Sequence, residues 1–144
     1  MSIGKIMAVS AITNTALTVA WDDGHSARID LGEIIATRPA LASLSNAQQF
    51  ATVGISADGW SLEWPCGVDF GAPQLRRLAD EQTGQTMPAI GFRTWIDGHG
   101  FTLEKAADAL GVSRRTIAYY LSGEQPVPKT VMLATMGYDQ QIAA

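Results

Sequence analysis

Apolar and polar residues alternate through most of the first half of the chain, whereas in the second half the apolar ones recur at helical spacing. Ile6 to Ile12, Ala16 to Trp21 and Ala27 to Leu31 are short apolar-rich runs, and Asp22-Asp23-Gly24-His25 joins the last two, which predicts a meander. Asn46 to Ala51 predicts a short helix capped by Asn46 or Ser45. Val53 to Ala57 and Trp60 to Trp64 flank Asp58-Gly59, a dipeptide suited to the backbone of a tight hairpin. Pro65 ends the second of these strands because it cannot donate to a ladder, and Pro73 opens a helix over Gln74 to Glu81. Alternation puts Trp60 and Trp64 on one face, predicting core packing, with a partner or dimer surface as the alternative.

Gln82 to Pro88 has no apolar period and contains Gly84 and a proline, so it predicts a boundary between a domain of residues 1–82 and one of residues 88–144. Beyond it the pattern is helical throughout. Ile90, Trp95 and Ile96 mark one segment; Leu103, Ala106, Ala107 and Leu110 the next; then Ile117, Tyr120 and Leu121; then Val131, Leu133 and Ala134. The fold class predicted is α+β: a small antiparallel-sheet domain with short helices, followed by an all-α domain.

The punctuation of residues 102–123 is specific. Thr102 caps a helix Leu103 to Leu110, with Glu104 at the positive end of its dipole. Gly111 permits the backbone of a tight turn, Ser113 caps a second helix from Arg114 to about Ser122, and Gly123 stops it. Two helices across so short a turn make a helix-turn-helix. Ala106 and Ala107 leave room for the crossing, and Val112, Ile117, Tyr120 and Leu121 fill the space beneath. The run Ala-Ala-Asp-Ala-Leu-Gly-Val-Ser-Arg-Arg-Thr-Ile-Ala-Tyr-Tyr-Leu-Ser-Gly, with Pro126 and Pro128 after it, resembles the helix-turn-helix of the lambda-repressor-like, Cro and phage-repressor superfamily.

That resemblance implies DNA binding through the N-terminal residues of the second helix in the major groove. Burying Ile117, Tyr120 and Leu121 turns Arg114, Arg115, Ala118, Tyr119 and Ser122 outward, and with Thr116 these are the candidate DNA-contacting residues. The Tyr119 ring has an alternative position against the first helix. Two cations in a first turn oppose the helix dipole, each by about 0.3–1 kcal/mol, which stability alone would not select. The competing explanation is a merely solvated face.

Composition changes this picture in one respect. The net charge is −4, which is awkward for binding phosphates. Residues 1–74 carry three basic side chains (Lys5, Arg28, Arg38) against seven acidic ones, while residues 75–144 carry seven of each. DNA affinity must therefore come from local clustering, and a homodimer reading two half-sites about one helical turn apart is expected.

Nothing supports an enzyme. Cys66 would need a neighbouring base, but His25 and His99 fall in predicted glycine-flanked turns, so Cys66 is expected to be a half-buried thiol. Asp22, Asp23 and Asp58 sit where turns favour aspartate. No metal or cofactor pattern is present. One cysteine suits a reducing cytoplasm. Ile6 to Ala20 follows Lys5 much as a secretion signal would, but Ser10, Thr13, Asn14 and Thr15 interrupt it, and no apolar run reaches the roughly 18 residues of a membrane span.

The first half also resembles a bacterial α+β family of unknown function. The resemblance rests on Asp23-Gly24, Arg38-Pro39, Phe50, Val53 and Gly59-Trp60-Ser61-Leu62-Glu63-Trp64-Pro65-Cys66-Gly67-Val68-Asp69-Phe70, which contains a Trp-Pro-x-Gly-x-Asp segment. Some members carry a C-terminal lambda-repressor-like domain. The expectation is a transcriptional regulator bound to double-stranded DNA. The alternative is a protein-interaction module whose helix-turn-helix no longer binds DNA.

Overall fold

The runs that open the chain pair as a meander in the computed structural model, which describes residues 4–143. Strands β1 (Ile6–Ala11), β2 (Ala16–Trp21) and β3 (Ser26–Asp30) form an antiparallel sheet in that order. Leu17 faces Ile29 and Val19 faces Ala27 across β2 and β3, and Leu17, Val19, Trp21 and Ile29 are buried, as a period of two requires. The chain here belongs to the first of two compact units, Met1–Ala79 and Asp80–Ala144.

Two helical pieces follow that periodicity did not foresee: α1 (Gly32–Thr37) and a 3₁₀ helix (Pro39–Ser45) that Pro39 opens. Each is too short to show a repeating face, yet Ile35, Leu41 and Leu44 are buried. Helix α2 (Ala47–Phe50) is capped as predicted, the Asn46 Oδ1 accepting from the amides of Gln48 at 2.9 Å and Gln49 at 3.1 Å.

A second antiparallel sheet contains β4 (Gly54–Ile55), β5 (Ser61–Glu63) and β6 (Asp69–Gly71). Asp58 builds the turn between β4 and β5, accepting from the Trp60 amide at 3.0 Å and the Ser56 hydroxyl at 2.7 Å. The shared face expected for Trp60 and Trp64 is corrected. β5 stops short of both, so Trp64 is 3% exposed while Trp60 is 42% exposed with Lys5 Nζ 5.8 Å from its ring centroid. Trp64 packs between Phe50 and Phe70 and donates its indole N–H to the Phe50 carbonyl at 2.9 Å. Helix α3 (Ala72–Gln82) adds Ala72, Leu75 and Ala79 to this core.

In the second unit the helices are α4 (Ala89–His99), α5 (Leu103–Leu110), α6 (Arg114–Ser122) and α7 (Lys129–Ala143). The second unit is helical as expected, with one addition: a two-residue antiparallel pairing of β7 (Thr86–Met87) with β8 (Val127–Pro128), too short for any periodicity to register. Phe92, Ile96, Ala106, Ala107, Ile117, Tyr120, Val127 and Val131 form the core. Two expected core positions turn outward, Ile90 at 76% and Leu133 at 52% exposure, because the buried stripes run through Phe92 and Ile96 on α4 and through Val131 and Thr135 on α7. Among the described residues no helix is long and apolar enough to cross a membrane.

Candidate nucleic-acid interface

The frame of the interface is set by two short polar residues and two glycines. Thr102 Oγ1 accepts from the Lys105 amide at 3.2 Å and starts α5. Gly111, at φ 72°, ends it in the left-handed region that residues with a Cβ avoid, and the amides of Gly111 and Val112 both bond the Ala107 carbonyl, at 2.9 and 3.1 Å. Ser113 then caps α6, its Oγ accepting from the Thr116 amide at 3.0 Å, and Gly123 ends that helix. Ala106 and Ala107 are buried in α5, and Ile117 and Tyr120 are buried in α6, with the Phe92 ring 5.6 Å from Tyr120 in an edge-to-face contact. Burial raises the Tyr120 phenol above its usual pKa, so the buried hydroxyl stays neutral.

Successive residues of an α-helix are about 100° apart, so burying Ile117 and Tyr120 leaves an outward sector running from Arg114 through Ala118, Ser122 and Arg115 to Tyr119. Arg114, Arg115, Ala118 and Ser122 are exposed and Tyr119 is half-buried. Among the described residues the Arg114 side chain makes no hydrogen bond or ion pair, and it lies at one edge of the sector. Arg115 lies near its centre and donates from Nε to the Tyr119 phenol oxygen at 2.6 Å, its guanidinium carbon 5.3 Å from the ring centroid. The Tyr119 ring is therefore partnered by its own helix. Thr116 lies on the opposite flank, half-buried, its hydroxyl 2.8 Å from Ser113 Oγ. Ser122 donates its hydroxyl to the Tyr119 carbonyl at 3.1 Å, which turns it toward the helix backbone.

The electrostatics of this helix are one-sided. α6 contains two arginines in its first turn and no carboxylate. Both guanidiniums sit at the positive end of the dipole, where an anion is the natural counterpart.

Other chemistry-bearing residues lie away from this face. His99 is corrected from a turn to the last residue of α4. It sits in an aromatic cluster with Trp95, Phe101 and Tyr138, its Nε2 2.8 Å from Asp139 Oδ1, an oxygen that also accepts from Trp95 Nε1 at 2.9 Å. The Trp95 and His99 bonds hold the Asp139 carboxyl below its usual range. Cys66 is exposed rather than half-buried, because the Trp64 to Val68 turn carries it outward; hydrogen bonds from Ser43 and the Val68 amide lower its thiol pKa. A concavity of about 320 Å³ adjoins it, lined in part by Glu63, Trp64, Gly67 and Asp69. Arg76 pairs with Asp23 at 3.0 Å and stacks over Trp21, and the Asp23 carboxyl is held low by the His25 amide and by Arg76. Among the described residues no group of three or more histidines, cysteines or carboxylates could hold a metal.

Residues 6–81 match the family described as Protein of unknown function (DUF2442), and the chain belongs to that family. A solved relative is the "Putative DNA Binding Protein NE0471" of Nitrosomonas europaea, 32% identical, with a TM-score of 0.54 over 96% of this chain and 90% of that one. No curated protein matches.

Proposed function

We propose that this protein is a non-enzymatic, sequence-specific DNA-binding protein, a transcriptional regulator that acts as a homodimer and reads double-stranded DNA with α6. The observation that carries the reading is the outward sector of α6: two exposed arginines at the positive end of the helix, no carboxylate, and a frame of caps and glycines that fixes both ends of the helix. That frame supports a lambda-repressor-like helix-turn-helix. The name of the Nitrosomonas europaea relative, which aligns over nearly the whole chain, supports the same reading.

A carboxylate-free helix is unexpected on a surface meant only to be solvated, since two like charges in the first turn cost stability. The net charge of −4 favours the competing reading, a protein-interaction module. Salt separates the two. Duplex binding followed by fluorescence anisotropy should weaken steeply from about 50 to 200 mM salt, with a log–log slope near −0.9 for each phosphate neutralised. Salt-insensitive binding, or none at low salt, would sink the DNA reading.

A further inference from the structure

The two arginines of α6 are held differently, and the difference assigns them different tasks. A guanidinium has five N–H donors, one on Nε and four on the two terminal nitrogens. In Arg115 the Nε donor is already used, bonded to the Tyr119 oxygen at 2.6 Å, and the ring beneath it fixes the plane of the group. What remains is the end of the fork: two terminal nitrogens carrying four N–H donors. That is the donor pair which matches the O6 and N7 acceptors of guanine in the major groove. Tyr119 also removes side-chain freedom that Arg115 would otherwise lose on binding. Arg114 has no such tether and lies at the edge of the outward sector, a position suited to a phosphate contact, which needs no fixed guanidinium plane.

Resting on the DNA-binding reading above, we infer that Arg115 is the base-reading residue, specific for a guanine in each half-site, that Tyr119 is its positioning residue, and that Arg114 is a phosphate contact. The Arg115 guanidinium and the Tyr119 phenol act as one unit, and the phenol oxygen sets the angle at which the fork meets the base.

The test uses the full chain and a duplex selected by it from a randomised pool. Each guanine of the duplex is replaced in turn by 7-deazaguanine, which deletes the N7 acceptor. At one position per half-site this replacement should weaken the parent protein on the order of tenfold, and should have no further effect on Arg115→Ala. Tyr119→Phe keeps the ring and loses only the oxygen. It should bind non-selected duplex as the parent does, keep the salt slope, and lose about half of the logarithmic preference for that guanine. Arg114→Ala should keep the guanine preference and flatten the salt slope by about one unit. Three results overturn the assignment while leaving DNA binding intact: no guanine coupled to Arg115, a Tyr119→Phe variant indistinguishable from the parent, or an Arg115→Ala variant that weakens all duplexes equally with a flatter slope. Failure of the parent protein to select any duplex overturns the DNA-binding reading itself, and this assignment with it.

Discussion

Single side chains decide more of this molecule than their chemical type announces. Phe92 is fully buried while Ile90, two residues earlier on the same helix, is 76% exposed. Phe92→Ala should therefore cost about 3–5 kcal/mol, and Ile90→Ala less than about 0.5 kcal/mol, in denaturant unfolding. Equal losses would mean that the buried stripe of α4 has been assigned to the wrong face. Trp64 poses a similar test for hydrogen bonding. Its indole is the donor to the Phe50 carbonyl, so Trp64→Phe, which keeps an aromatic ring between Phe50 and Phe70, should cost about 1–3 kcal/mol by leaving a buried carbonyl unpaired. Asp139 carries the pH dependence. The Trp95 indole and then the His99 imidazole depress its carboxyl pKa from the ordinary 3.8, so its contribution to stability is present above that value and is lost as pH falls through the lower folded one. Asp139→Ala should melt below the parent near neutrality, and the gap should close in strong acid. A gap independent of pH would assign Asp139 a packing role instead.

Elements were legible in the sequence to the degree that their ends are chemically marked. α5 and α6 could be placed to the residue because Thr102, Gly111, Ser113 and Gly123 each do a job at a helix terminus that few other residues do. Asn46 and Asp58 gave α2 and the β4–β5 turn in the same way. Where the ends carry no such mark, apolar spacing alone does not define an element. The 3₁₀ helix after Pro39 and strand β6 are too short to repeat a face, and the β7–β8 pairing is two residues deep. The outward residues of α6 were legible from periodicity, but the tie between Arg115 and Tyr119 was not, because spacing puts the pair in reach without saying which atoms meet. The caps themselves can be tested. Ser113→Ala should cost about 1 kcal/mol and, under the proposed function, weaken duplex binding along with stability, since the first turn of α6 holds both arginines.

At the scale of the whole molecule, each unit builds its core from its own residues: one around Trp64, Phe50 and Phe70, the other around Phe92, Ile117 and Tyr120. Neither the length nor the composition of the chain required that. A chain with two cores need not unfold as one. In differential scanning calorimetry Phe92→Ala should lower the transition of the second unit and leave that of the first in place. A single transition that shifts as a whole would show that the two cores melt together. The charge distribution fits the same division, since the excess acid lies in residues 1–74 and α6 lies in the balanced part.

The turn at Gly111 carries a consequence of handedness. At φ 72° the backbone there follows the preference of a mirror-image amino acid, and the position is open to solvent. L-alanine should strain it by about 1–2 kcal/mol, whereas D-alanine, introduced by peptide ligation, should sit at rest and stiffen the denatured chain, gaining about 0.4–1 kcal/mol. Adding one methyl group of the mirror-image configuration would thus stiffen the turn between the two helices without altering a single atom that faces outward from α6.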